Sequence, residues 1–487
     1  MNIIMIAQLL CGLALLIFVH EFGHFLAARI FKVRVPKFYL FFNPSFSIFK
    51  CKKFNGKFHF KFFAKNLPDT EKVLDENGDE VLDEKGKAKM QVIDKETLSD
   101  DDWRKYPDNT EYGIGWLPLG GYCQISGMID ETQTINNMPS EPQPWEYRSK
   151  PAWQRLIIVL GGVIVNMIVG VLLFAVVIGH FQKQYIANED VTDGIYAFEA
   201  AQNMGFQTGD KIICIDGEKK ERFSDAASPN MLMGSIVTVD RNGEKKDIVI
   251  GDEGYQVLKT SQGRFIDMAN FIPLIDSILP DMPLHGKGFQ KGDIICAIND
   301  SILITSYGDL LEKLPLFTSK SIDLKAIRGK DTISNTVEVD SNGKLGFLTH
   351  IPYQTHNYTL WQSFKYGWQE AIDMLVVNAK GFGKIFSGKE KVTALSGPIG
   401  IAQIYGKVWD WHRFWRITGL LSLLLAFMNI LPIPGLDGGH ALVALIELII
   451  RRKVPDKVVQ IALNIGFILL LLLMVFAFGN DIFKLFQ

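Results

Sequence analysis

His20 and His24, separated by one helical turn with Glu21 between them, form the segment His20-Glu21-Phe22-Gly23-His24. Positions i and i+4 of a helix share a face, so both imidazoles can reach one divalent metal, and the glutamate can reach a water on that metal as general base. That is the donor set of a zinc hydrolase. The surrounding stretch, Ile3 to Phe31, is apolar and long enough to cross a bilayer. Ionisable side chains are costly inside a membrane, so three of them in one span read as a site. The alternative is a set of polar residues that join helices through hydrogen bonds.

Two histidines need a third ligand. A second polar cluster runs from Asn429 to His440 as Asn-Ile-Leu-Pro-Ile-Pro-Gly-Leu-Asp-Gly-Gly-His. Pro432 and Pro434 cannot continue a regular helix, and Gly435, Gly438 and Gly439 permit tight backbone, so the chain breaks here at membrane depth. Such a break is tolerated where protein or a water-filled cavity surrounds it. Asp437 is placed to be the third ligand, leaving a fourth position for water as expected of a catalytic zinc. His440 is the rival, and its other role is an interfacial or supporting histidine. Asp437 is preferred because it lies closer to the helix break, and depth supports the pairing of the two motifs: Ile3 to His20 is roughly 25 Å of helix, which puts the histidines toward the side of a ~30 Å core where a third span would end.

The elements that must position these groups are membrane spans. Of 487 residues, 48% are hydrophobic, too apolar for an ordinary soluble enzyme and too polar for a pure transporter. Four stretches are candidates: Ile3 to Phe31, Leu156 to Gly179, Ile417 to Pro434 and Val458 to Gly479, the third being short. Basic clusters follow span one (Arg29, Lys32, Arg34, Lys37), precede span two (Arg148, Lys150, Arg155) and separate spans three and four (Arg451, Arg452, Lys453, Lys457). The positive-inside rule puts all three in the cytoplasm, with both termini and the segment from about His180 to Trp415 on the opposite side. The lack of Lys or Arg before span one argues against a cleaved signal peptide. A net charge of −2 gives no indication of a nucleic-acid partner. The five cysteines have no C-x-x-C spacing and suggest neither a thiolate metal site nor a disulfide framework.

The outer segment holds an internal repeat: Gly205-Phe206-Gln207-Thr208-Gly209-Asp210 returns as Gly288-Phe289-Gln290-Lys291-Gly292-Asp293, each running into a β-branched strand. The pattern resembles the Gly-Asp hairpin of PDZ domains, which bind peptides by strand addition, although Gly and Asp make such a turn whatever the domain binds. On the other side, Phe38 to Phe63 and Tyr112 to Met128 suggest strands lying at the membrane, and the acidic stretch Lys65 to Asp108 between them reads as a solvated insertion containing two hairpin-like units, Leu74 to Asp79 and Leu82 to Lys87. Trp361 to Phe386 has the spacing of an amphipathic helix on the outer membrane surface.

With these motifs together, the chain resembles the site-2 proteases, specifically the bacterial regulator-of-sigma-E type with two tandem PDZ domains. Pro118-Leu119-Gly120-Gly121-Tyr122, Gly161 to Asn166 and Ser396-Gly397-Pro398-Ile399 match as well. The implied fold is a multi-pass α-helical membrane protein with four transmembrane helices, a membrane-associated β-loop and two PDZ-like domains of α+β or β-sandwich type between spans two and three. The expected division is 1–35 (span one), 36–150 (β region with insertion 65–108), 151–182 (span two), 183–262 and 263–348 (PDZ-like), 349–414 (amphipathic outer segment), 415–440 (span three) and 441–487 (loop and span four).

The resemblance implies Zn2+ on His20, His24 and Asp437, Glu21 as base, and Asn429, Pro432, Pro434, Gly120 and Gly121 as substrate contacts. It also implies an enzyme of the bacterial inner membrane, with its site toward the cytoplasm, that cuts single-pass membrane substrates such as anti-sigma factors and signal-peptide remnants after a first protease has trimmed them. An exposed strand edge from Tyr112 to Ser126 would hold the unwound substrate. Two departures stand out: Phe42-Asn43-Pro44-Ser45 occupies the region where the family often has Gly-x-Gly, and the acidic insertion is unusual. A catalytically silent scaffold would not need Glu21. A metal transporter would need neither that glutamate nor two outer peptide-binding domains.

Overall fold

Asn2 accepts the Ile4 N–H at 2.9 Å and so starts α1, Ile3–Ile30. In this computed structural model the described residues are 2–67, 70–72, 90–93, 97–118, 120–129, 141–181, 184–227, 234–251, 265–269, 271–349, 354–355, 357–388 and 397–485. Leu119, Ser396 and the two hairpin-like units of the acidic stretch lie outside them. Two units are formed, Met1–Phe181 with Thr359–Gln487, and Gln182–Tyr358.

After α1 the chain builds a mixed sheet from β1 (Lys37–Leu40), β2 (Phe46–Phe54) and β3 (Lys57–Lys65), then, past the small pair β4 (Thr70–Lys72) and β5 (Met90–Val92), β6 (Glu111–Ile114) and β7 (Tyr122–Gln124). The order is β3-β2-β6-β1-β7. β1 runs parallel to β6, pairing Phe38 with Tyr112, and antiparallel to β7, pairing Phe38 with Cys123. The strand edge expected from Tyr112 to Ser126 therefore narrows, because β6 is interior and β7 is an end strand of the sheet. Ala28, Val35, Phe38, Ile125 and Ile158 are buried in one cluster that fastens this sheet to α1 and to α2, Ala152–Val176. α2 continues as a π-helical turn, Val177–Phe181, so span two begins and ends slightly outside the expected limits.

The second unit opens with β8 (Gln184–Tyr185) and β9 (Ile195–Ala197), followed by the short helix α3 (Glu199–Gln202), β10 (Lys211–Ile215), α4 (Phe223–Ala226), β11 (Ile236–Arg241), β12 (Glu244–Val249) and β13 (Ile266–Met268). It goes on through β14 (Ile275–Ile278), β15 (Ile294–Ile298), β16 (Ile302–Leu303), α5 (Tyr307–Lys313), β17 (Ser321–Arg328), β18 (Asp331–Glu338), β19 (Phe347–Thr349) and β20 (Gln354–Thr355). Two hydrophobic cores form, one including Ile195, Phe206, Val237 and Phe265, the other Ile275, Leu284, Ile295 and Leu324. The first takes in Met268 and Phe271, past the expected join at 262/263, because β13 pairs back onto β9.

The sequence repeat is also a repeat of contacts. Asp210 accepts two hydrogen bonds from Arg241, both at 2.7 Å, and one from the Gln207 N–H at 2.8 Å. Asp293 does the same with Arg328 at 2.6 and 2.7 Å and the Gln290 N–H at 2.9 Å.

The chain returns to the first unit with α6 (Leu360–Phe386), started by a capping box between Thr359 and Gln362. This is the helix expected on the membrane surface; one side of it packs on protein, while Trp361, Phe364, Trp368 and Val376 stay exposed. Ala371 packs with Phe174 of α2 and with Leu423, and Gly367 is so near Ala175 that an added Cβ would lie 2.5 Å from its nitrogen. Small residues at the contact let the helices close. Next come α7 (Pro398–Tyr405), whose first N–H groups are accepted by the buried Asp481 carboxylate, then α8 (Trp411–Ile430), α9 (Asp437–Ile450) and α10 (Asp456–Leu485), the helix that carries Asp481.

Helices α1, α2, α8 and α10 are long and apolar enough to cross a membrane. Span three differs from expectation at both ends. Asp410 caps its start by accepting the Arg413 N–H, and Leu431 turns extended ahead of Pro432. The broken segment seats on span four, where an added Cβ on Gly466 would lie 1.7 Å from the Pro434 oxygen. α9, expected as a loop, is a helix whose first residue is Asp437.

Candidate active site

The site begins with a helix crossing that has no room for side chains. A Cβ on Gly23 would stand 2.2 Å from the Gly161 oxygen, and one on Gly161 2.5 Å from the Gly23 oxygen, so α1 and α2 meet backbone to backbone. One residue on, a Cβ on Gly162 would lie 2.5 Å from His24 Nε2 and 2.7 Å from His20 Nδ1. Both imidazoles occupy the space that this glycine leaves.

Their rings stand nearly perpendicular, at 88° with centroids 4.8 Å apart, and the two Nε2 atoms are 3.2 Å from each other. Asp437 Oδ2 is 3.2 Å from His20 Nε2 and 3.3 Å from His24 Nε2. Among the described residues, these three are the group of His, Cys, Asp and Glu donors close enough together to hold one metal ion, and His440 is not part of it. Asp437 sits in the first turn of α9, where the helix dipole favours a carboxylate. The buried ion pair of Arg155 with Glu447 ties α9 to α2 and thereby fixes the helix that carries it.

The remaining ring nitrogens are also engaged. His24 Nδ1 is 3.0 Å from the Ile158 carbonyl oxygen, and His20 Nδ1 is 3.1 Å from the side-chain nitrogen of Asn166. Asn429, in the last turn of α8, brings its amide nitrogen to 3.4 Å from His20 Nε2. Glu21 faces the sheet: the backbone N–H of Cys123 on β7 hydrogen-bonds its carboxylate, and a Cβ on Gly121 would lie 3.5 Å from its Cγ. Gly120, at φ +159°, packs on the Phe42 ring instead. Pro432 and Pro434 make the break that separates Asn429 from Asp437, and Pro434 faces α10. Thus Asn429 and Gly121 reach the site directly, while Gly120 and the prolines shape the backbone beside it.

A sequence model of peptidase family M50 matches residues 8–64 and 102–473. The chain belongs to peptidase family M50. The match omits 65–101, inside the stretch read as an insertion. A Treponema pallidum protein bearing a zinc metalloprotease name is 27% identical over 79% of this chain and 90% of its own length. A similarly named Vibrio cholerae protein is 25% identical over 97% of both chains. The regulator of sigma E protease of Haemophilus influenzae is 24% identical over 99% of both.

This M50 peptidase is a zinc metalloprotease of the membrane-embedded site-2 type, and its convergent donors fit zinc. Ligands at about 2.0–2.1 Å from a tetrahedral zinc lie about 3.3 Å apart, the spacing found between the Nε2 atoms and Asp437 Oδ2. Asp437 Oδ2 is buried and receives no hydrogen bond, so its lone pairs are uncommitted. Sequence reasoning found the donors but gave no role to Gly162, the Ile158 carbonyl or Asn166. The only signal was the run of small and polar residues from Gly161 to Asn166 in an otherwise aliphatic span.

Proposed function

We propose that this protease makes the second cut of regulated intramembrane proteolysis, hydrolysing a peptide bond in or beside a substrate's transmembrane helix. The observation that carries the reading is the triangle of His20, His24 and Asp437 donors with Glu21 between it and the end strand β7. Zinc held by these three residues would lower the pKa of the attacking water and polarise the scissile carbonyl. Glu21 accepts the water's proton and delivers it to the leaving nitrogen. Asn429 and Gly121 line the path of the substrate backbone. A helical segment exposes no free carbonyls, so it must unwind, and pairing along β7 keeps it extended. Gly120, Pro432 and Pro434 shape that path.

The paired cores and repeated Gly-Asp turns of 182–358 support two PDZ-like domains, here read as a filter that excludes substrates still bearing a bulky outer domain. The basic clusters support a cytoplasmic side for the ends of α1 and α9, and hence an inner-membrane enzyme with its site toward the cytoplasm. The likeness to the Haemophilus protein supports trimmed anti-sigma factors as substrates, and signal-peptide remnants share their form.

The test is a cleavage assay on a model transmembrane substrate with full-length protein. Glu21→Gln should lower turnover by about 10²- to 10⁴-fold while zinc stoichiometry stays that of the wild type, since the glutamate acts on water and is not a ligand. Unchanged turnover would remove the mechanism.

A further inference from the structure

We infer that Asn166 is a positioning residue that selects the proton placement of His20 and so sets the zinc affinity of the site. This rests on reading His20 as a ligand. An imidazole that gives the Nε2 lone pair to a metal carries its proton on Nδ1, so whatever faces Nδ1 must accept a hydrogen bond. For His24 that acceptor is built into the backbone, because the Ile158 carbonyl oxygen can only accept. For His20 the facing group is a side-chain amide, which presents an oxygen or an NH2 depending on a half-turn about its last bond.

Asn166 is fully buried, and its Oδ1 has no donor. Turning the amide so that the oxygen faces His20 gives the Nδ1–H an acceptor and the buried oxygen a donor at once. The two ends of the amide are told apart only by such partners. The main chain at this point is already fixed, since Ser422 Oγ of α8 donates to the Asn166 carbonyl at 2.8 Å. The side chain is therefore free to serve the histidine, with packing assigned to the backbone.

The experiment measures zinc affinity of full-length protein in detergent by competition with a chelator of known affinity. Removing the acceptor in Asn166→Leu should weaken zinc binding by about 10- to 100-fold, the usual loss for a partner of a ligating histidine. Asn166→Asp, an acceptor of the same shape, should stay within a few-fold of wild type. Ser422→Ala should leave affinity unchanged. Wild-type affinity in Asn166→Leu, or equal losses in the Leu and Asp variants, overturns the inference. His20→Ala run in the same assay separates the two readings: if it binds zinc as the wild type does, the ligand assignment fails, whereas loss there with none in Asn166→Leu defeats the positioning role alone. A measurement on the wild type needs no variant to fold. With zinc bound, the 15N resonances of His20 should show a protonated Nδ1, and a bare Nδ1 would refute the proposal.

Discussion

Buried carboxylates occur in both units of this protein, and their surroundings differ in a way that separates a site from a structural device. In the repeated half, Asp210 and Asp293 each spend their oxygens on a guanidinium and a backbone N–H, so a tight turn is pinned to a neighbouring strand. In the membrane unit, Asp437 turns an oxygen that accepts no hydrogen bond toward two imidazole nitrogens. The first arrangement leaves no valence for a ligand. The second stays costly until a cation binds, because an uncompensated charge in a low-dielectric interior is penalised by desolvation.

The sharpest way to break this contrast is to remove carboxylates from both units. Asp437→Ala, His20→Ala and His24→Ala should each lose zinc and reduce cleavage to background, since two protein ligands make a poor zinc site. Asp210→Ala should keep zinc and cost stability of about 1–3 kcal/mol, the penalty of leaving buried partners unpaired. Zinc content by elemental analysis and thermal unfolding of the full chain would check both. Retention of zinc in Asp437→Ala with loss in His440→Ala would reassign the third ligand.

Glycines extend the comparison. Gly162→Ala puts a methyl where both imidazoles pack, and should weaken zinc binding by about tenfold or more by rotating them off the common point. Gly251→Ala, in the unit that carries the repeat, meets nothing within 4 Å and should be silent in the same titration. Equal effects of the two would mean that the α1–α2 crossing does not position the histidines.

These two kinds of glycine explain what the sequence could and could not disclose. The donor residues were legible because helical spacing alone puts His20 and His24 on one face, and because two prolines mark the break before Asp437. The repeat was legible because its turns require glycine at Gly209 and Gly292, both at positive φ. Gly162 was not, since a glycine that admits a neighbour looks like any other small residue in a span. α9 was missed for another reason: its start has no capping side chain and its 14 residues are too few to span. Amphipathic spacing in α6 shows that one face is apolar but not how it is covered: Ala371 packs on α2 and α8, while Trp361 and Trp368 stay exposed.

If the repeat-bearing unit acts as a filter, loosening it should change which substrates are cut before it changes how fast. The double variant Asp210→Ala with Asp293→Ala should begin to cleave substrates with an intact outer domain while processing trimmed ones within about threefold of the wild-type rate, a loss of under about 1 kcal/mol in transition-state stabilisation. The opposite pattern, slow trimmed substrates and uncut intact ones, would mean that this unit captures substrate termini.

The smallest expected effect is on pH dependence. The Arg328 guanidinium holds the Asp293 carboxyl below the ordinary carboxylate range. Because the folded value is depressed, the contribution to stability is complete above the unfolded value of about 3.9 and is lost as pH falls through the folded one. Hydrogen-exchange protection of β15 and β17 in the full-length protein should therefore be flat from neutral pH to about pH 5 and decline below it. Asp293→Asn should lower protection at neutral pH and flatten the acid decline, since the asparagine does not titrate. An unchanged acid decline in that variant would show that the clamp contributes nothing through its charge, and the contrast with Asp437 would then rest on hydrogen-bond geometry alone.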